Sequence, residues 1–487
     1  MSYITLFSFA TYLSLVMGFA IVAYYKTHSL ADFVLAGRRL NAPVAALSAG
    51  ASDMSAWLLL GLPGAVYGLG LSQIWLPIGL LLGAYISWRW VAKPLRVFSE
   101  LANDSLTLPA YLDNRFFDQS GWIRSLLAGI TLLFFAFYTA SGLVGGAMLM
   151  QRFGLSYTQA LYLGTAIIML YTLVGGFFAV SWTDFFQGIL MLLCLLIIPW
   201  LAIKELGGWS TVFSMIDSTT HWAMDPFNGS TDFFYINLLA WGLGYFGQPH
   251  ILVRYMAIKS TVQLPLARRI AMSWMTLSML GAVMTGWVGI AYFKPDQIVA
   301  ESIFIAFSQV LLSPWLAGIL LAAILSSIMC ALDSQMLASA SALTEDIYRR
   351  LLRPQATQAE LIWLSRIAIV LIAGIAMALA FDPNRQVIEL VAFAWAGLGA
   401  AFGPAVLWSL FWRRMTARGA LYGIVVGALT VVLWHSNQGG IFELYAIIPG
   451  FVLSSLAILL GSGLDNPPAT HITQQFDLAW DKINNYK

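Results

Sequence analysis

Apolar runs long enough to cross a bilayer recur from one end of the chain to the other, and polar residues gather in the short stretches between them. A helix of 18 or more apolar residues matches the hydrocarbon thickness of a membrane. Windows of about 19 residues predict thirteen spans, over 4–25, 43–60, 71–92, 124–149, 157–179, 185–204, 232–254, 270–293, 314–343, 361–381, 387–411, 419–436 and 443–463. The expected fold is therefore an all-α polytopic membrane protein with 13 transmembrane helices. Residues 1–463 form one transmembrane domain, and 464–487 a short, solvated cytoplasmic tail. The longest polar stretch, Arg89 to Arg124, is shorter than a folding domain.

Composition fits that reading, with 60% hydrophobic and 10% charged residues. The placement of charge adds an orientation. Of the 25 Lys and Arg, all but Arg152, Lys204, Lys294 and Arg385 fall on one side of the thirteen-span scheme. The positive-inside rule then puts the N-terminus outside and the C-terminus in the cytoplasm of a plasma (inner) membrane. A net charge of +2 gives no reason to expect nucleic acid, and no obligate protein partner is implied. Cys194 and Cys330 both lie inside apolar runs, where neither a disulfide framework nor a metal site is expected. The N-terminus lacks a basic segment and a small-residue cleavage site, so its first apolar run reads as a retained span.

Two spans are interrupted. The second contains Ala45 to Trp57, in which Ser48, Ser52, Asp53 and Ser55 stand among alanines and a glycine. The seventh contains Trp241 to His250, with three glycines and Pro249 inside ten residues. Glycine costs about 1 kcal/mol in a helix interior and proline about 3, and irregular backbone at membrane depth is tolerated only against protein or a cavity. The two breaks are five spans apart. Spans 2–6 and 7–11 can thus form two inverted five-helix repeats, each opening with a broken helix, and such a pair of interruptions marks a transporter's binding site.

A carboxylate at membrane depth costs roughly 2.5–3.5 kcal/mol on insertion scales and is a functional-site hypothesis by default. Unwinding near Asp53 frees backbone carbonyls for a hard monovalent cation, with Ala51 and Met54 the expected donors. Asp53 itself can neutralise that cation, orient the broken helix or titrate. In the seventh span Trp241 and Tyr245, four apart, share a helical face and suit a small ligand with an apolar body and charged ends. Asp184, in the short loop expected between spans five and six, reads as a helix cap or an ion-route residue. Arg254 reads as an interface anchor. In the ninth span Ser327, Cys330, Ala331 and Ser334 line one face, with Asp333 to its side.

The stretches Leu47 to Ser55, Gly61 to Val66, Leu106 to Pro109, Ala179 to Asp184, Trp241 to His250 and Leu343 to Asp346 together resemble the sodium/solute symporter family, above all its bacterial proline-carrying members. The resemblance covers essentially all thirteen spans. It implies secondary active import of L-proline coupled to sodium by alternating access. It implies sodium roles for Asp53 and Ser55, backbone ligands at Ala51 and Met54, further ligands from the ninth span, and Asp184 assisting sodium entry or release. It implies that Tyr138, Trp241, Tyr245 and Pro249 form the proline site. The family usually has serine and threonine at the positions of Cys330 and Ala331, and glycine at that of Ala56. A thiol is a poor ligand for a hard cation, which leaves the Ser327 carbonyl, Asp333 and Ser334 as replacement oxygens, or a changed driving ion.

Three functions follow in order. The first is sodium-coupled proline import. The second is a proton-coupled amino-acid symporter with Asp53, Asp184 or Asp333 as carrier. The third, a membrane sensor or enzyme, lacks support: the residues after Leu464 are too few for a signalling domain, and the five histidines, 28, 221, 250, 435 and 471, have no ligand spacing. No enzymatic activity is expected.

Overall fold

The computed structural model describes residues 3–24, 38–229, 232–294, 297–382 and 386–485. Lys26, His28, Arg385 and Lys487 lie outside the described residues. Helices account for nearly everything described, and the one β feature among the described residues is an isolated bridge between Leu40 and Ile258. In chain order they are α1 (Tyr3–Tyr24), α2 (Ala42–Asp53), α3 (Leu62–Leu69), α4 (Trp75–Ile86), α5 (Ala92–Leu101), α6 (Leu108–Phe116), α7 (Trp122–Gln151) and α8 (Tyr157–Glu205). The second half comprises α9 (Trp209–Thr220), α10 (Phe234–Ala240), α11 (Pro249–Ala257), α12 (Leu264–Tyr292), α13 (Ile303–Val310), α14 (Pro314–Ser341), α15 (Gln358–Leu379), α16 (Val387–Phe411), α17 (Ala417–His435), α18 (Ile447–Leu464) and α19 (Thr470–Asn485).

Nine helices among the described residues are long and apolar enough to cross a bilayer, and the protein is a polytopic membrane protein. Both interrupted spans are split: α2 ends at Asp53, after which helix resumes at Trp57 and runs on without a gap to Leu101, and α10 ends at Ala240. α1 is a 22-residue apolar helix, and α8 carries an apolar stretch, Tyr157–Leu170, ahead of Val180–Glu205.

The second span begins where Asn41 caps α2, its side chain accepting the Val44 N–H at 3.0 Å with Pro43 just inside the helix. After the break, a π-helical turn (Trp57–Gly61) leads into α3, so helix continues to Leu69 rather than stopping near residue 60. The interruption therefore lies in the middle of this segment, not near its end. The seventh span is broken as expected: α10 passes into a 3-10 turn (Trp241–Phe246), then Gly247 and Gln248, then α11 with Pro249 in its first turn.

Two expectations are corrected. No loop separates spans five and six: α8 runs through Ser181–Asp184, so Asp184 is a mid-helix side chain and not a cap. α8 is not straight: Thr172 and Gln187 bond Asp333 and Cys330, close neighbours on α14, so the helix doubles back between them and can serve two spans. Nor is the C-terminal segment merely solvated. α19 is an amphipathic helix that buries Phe476, Ala479 and Ile483, and the Ile483 carbonyl accepts from Lys93 at 2.8 Å.

Candidate substrate and ion site

The two breaks meet. α2 stops because the Ser55 N–H turns to the Asp53 carbonyl at 3.0 Å instead of the Ala51 carbonyl that a continuing helix would use, while the Met54 N–H closes on Gly50 at 2.9 Å. The Asp53 carbonyl gathers two further donors, Trp57 Nε1 at 3.0 Å and the Tyr138 hydroxyl at 3.3 Å. Its carboxylate accepts from the Tyr245 hydroxyl on Oδ2, and Oδ1 is buried without a partner among the described residues, as is the Ser55 hydroxyl. Two unpartnered oxygens beside a released carbonyl are a donor set suited to a hard cation.

Trp241 and Tyr245 lie in the 3-10 turn, where residues four apart do not share a face. Trp395 of α16 brings them together instead. Its ring stacks on Trp241 with centroids 6.4 Å apart and meets Tyr245 edge-on at 5.3 Å. Its Nε1 donates to the Trp241 carbonyl at 2.7 Å. Gly244 makes that approach possible, since a Cβ there would fall 2.0 Å from Trp395 Nε1. Tyr445 also stacks on Trp241, with centroids 5.3 Å apart and an interplanar angle of 27°.

One turn back along α2 lies a second polar cluster. Asp184 Oδ2 accepts from Ser48 at 2.7 Å, Ser52 at 3.1 Å and Arg254 Nη2 at 3.3 Å. Arg254 also donates to Ser334 at 2.6 Å, and Ser334 donates to Ser52 at 3.1 Å. Arg254, 1% exposed, is thus no interface anchor but the cation that joins α2, α8, α11 and α14. Pro249, Arg254 and Ser334 border a cavity of about 40 Å³ that reaches Thr107 and Asp346.

The ninth-span residues divide. Ser334 belongs to the Arg254 cluster, whereas Ser327 turns its hydroxyl to its own helix at the Ile324 carbonyl, 2.7 Å away. Cys330 donates to Gln187 Oε1 at 2.8 Å, and Asp333 accepts from Thr172 on α8, its Oδ2 without a partner among the described residues. Asp333 therefore joins neither cluster through a direct bond. Sequence reasoning missed Gln187, Trp395 and Tyr445. The signals available were a tryptophan in an Ala/Gly-rich run for Trp395 and a glutamine inside an apolar run for Gln187; Tyr445 gave none.

Two faces flank the site. On one, Arg124 bonds Asp346 at 2.7 Å and Glu345 at 3.1 Å, Thr107 donates to Asp346 at 2.9 Å, and Arg350 lies 3.7 Å from Asp113. On the other is a cavity of about 650 Å³ bordered by Phe393, His435 and Tyr445.

Interrupted helices that bring carboxylate, aromatic and freed backbone groups to one point between two faces define a membrane transporter. The chain belongs to the sodium:solute symporter family, whose profile matches residues 33–427. It is 46% identical over 479 residues to a sodium/proline symporter of Salmonella typhimurium, covering 97% of this chain and 95% of that one. It is also 46% identical over 459 residues to the high-affinity proline transporter PutP of Bacillus subtilis, covering 93% and 97%. Among solved structures, a substrate-bound outward-open Na+-coupled sialic acid symporter shares the fold, with a TM-score of 0.80 at 17% identity, covering 96% of this chain and 99% of that one.

Proposed function

We propose that this chain imports L-proline together with sodium, by alternating access of the site between its two faces. The observation that carries the reading is the bond from Tyr245 to Asp53, which ties the two helix breaks together. The near full-length likeness to the proline carriers of Salmonella typhimurium and Bacillus subtilis supports the substrate. Sodium is held by the Ala51 and Met54 carbonyls and by Asp53 and Ser55, with the Ser327 carbonyl opposite and Asp184 on the ion's route. Tyr138, Trp241, Tyr245 and Pro249 contact proline.

The chain crosses the membrane thirteen times, α8 supplying two passes through Tyr157–Leu170 and Val180–Glu205. Spans 2–6 and 7–11 form inverted repeats. The N-terminus lies outside; residues 1–463 make one membrane domain, with 464–487 a cytoplasmic appendage.

The test is uptake of labelled L-proline into proteoliposomes under an imposed sodium gradient. Asp53→Asn should insert normally and lose sodium-stimulated uptake; full sodium-stimulated uptake by Asp53→Ala overturns the assignment. A second reading, proton coupling, is favoured by Cys330 and Ala331, which offer no hydroxyl, and by the buried carboxylate of Asp333. Uptake driven by a pH gradient without sodium would establish it, and strict sodium dependence would eliminate it.

A further inference from the structure

The connection between α17 and α18 lies between the large cavity and the aromatic site. It turns at Gly439 and Gly440, whose φ values of +82° and +60° exclude most side chains. It is then fixed at three points. Trp434 Nε1 donates to the Leu444 carbonyl at 2.9 Å, Asn237 Nδ2 to the Glu443 carbonyl at 2.8 Å, and the Tyr445 N–H to Asn237 Oδ1 at 2.7 Å. The Tyr445 hydroxyl adds a fourth tether, donating to the Ala392 carbonyl on α16 at 2.8 Å.

These bonds hold the Tyr445 ring nearly parallel to Trp241. Tyr445 borders the cavity of about 650 Å³, whereas Trp241 does not. The ring therefore stands between that space and the aromatic surface of the site. A ligand with an apolar body coming from the cavity meets Tyr445 first and reaches Trp241 only once the stack opens.

We propose that Tyr445 is a further substrate-site residue, an aromatic roof that covers the apolar body of the bound amino acid against Trp241 and swings aside to admit or release it. The proposal rests on the reading of Trp241 as a proline contact. Its two parts are separable in chemistry. The ring supplies contact area, and the hydroxyl and the Asn237 bridge set how firmly the roof is held.

The experiment compares Tyr445→Ala, Tyr445→Phe, Asn237→Ala and Trp241→Ala in proteoliposomes, with every rate normalised to folded transporter. It reads the KM for L-proline and the rate at which prebound labelled proline escapes toward the cavity side. Tyr445→Ala should raise KM by about two- to tenfold, the range one aromatic contact carries, and speed escape. Tyr445→Phe and Asn237→Ala, which keep the ring, should speed escape with little change in KM. If Tyr445→Ala fails to fold, these two variants carry the test through escape alone, because a purely structural role would lower the yield and leave escape per folded molecule unchanged. Wild-type KM and escape in the Tyr445 and Asn237 variants, with KM raised in Trp241→Ala, would overturn the roof and leave the substrate site standing. An unaffected Trp241→Ala would overturn both.

Discussion

Asp184 and Arg254 are each 1% exposed, and neither charge has water to fall back on. Removing one partner of a buried pair typically costs about 3–5 kcal/mol, because the other is left uncompensated. Arg254→Ala should therefore lower the thermal unfolding temperature sharply, as read by size-exclusion of the heated, detergent-solubilised protein. The neutral pair Asp184→Asn with Arg254→Gln should recover part of the loss. A double variant no more stable than Arg254→Ala alone would show that the pairing is not what stabilises this position. The same pair marks a limit of sequence reading. Asp53 was legible because a carboxylate inside an apolar run is costly wherever it points. Arg254 was not, because an arginine near the end of a span normally reaches the interface, and only the fold reveals that α11 carries it inward to Ser48, Ser334 and Asp184.

At the scale of elements, the seventh-span break is both a binding feature and a packing feature. Gly242 lies against the backbone of α4 at Gly79 and Gly83, and Gly244 against Trp395. Gly244→Ala should thus displace Trp395 and reduce both the yield of folded protein and proline affinity, measured by binding of labelled proline. Gly374→Ala, where a Cβ meets nothing within 4 Å on the exposed side of α15, should be close to neutral. Equal damage from the two would show that the contact with Trp395 is not what makes Gly244 sensitive. The existence of both breaks was legible from the cost of glycine, proline and a carboxylate in an apolar helix. Their positions were less so: a hydropathy window sees no difference between a helix that ends near residue 60 and one that continues to Leu69. The grouping of Trp241 with Tyr245 was reached through helical spacing, yet what unites them is Trp395, from a span that carries no interruption. Partners supplied by distant, regular helices leave no local trace.

Across the whole molecule, the C-terminal helix α19 closes over a buried arginine. The Arg115 guanidinium sits 5.6, 5.4 and 5.3 Å from the ring centroids of Phe98, Phe116 and Phe476, in an arrangement expected for cation–π attraction. Phe476→Ala removes one wall of that enclosure and should lower stability by about 3 kcal/mol. The affinity for proline should not change, since no described contact links Phe476 to the substrate site. A drop in affinity without a drop in unfolding temperature would instead make α19 part of the transport cycle. Composition alone had suggested a solvated tail, because a 16-residue helix with three buried apolar positions barely differs from a polar segment until its docking surface is known.

The two faces of the site are closed by different materials. One holds Arg124, Arg350, Asp113, Glu345 and Asp346, with Arg350 39% exposed at its rim; the other holds rings and backbone tethers around Tyr445, with Glu389 and Glu443 on the cavity beside them. Dissolved salt acts on exposed charges over a distance of about 8 Å at physiological ionic strength and has little hold on stacked rings. The ion pairs around Arg124 are themselves buried, so salt reaches that face only through its rim at Arg350, whereas the cavity beside Tyr445 is bordered by the exposed carboxylates of Glu389 and Glu443, and electrolyte acts there first.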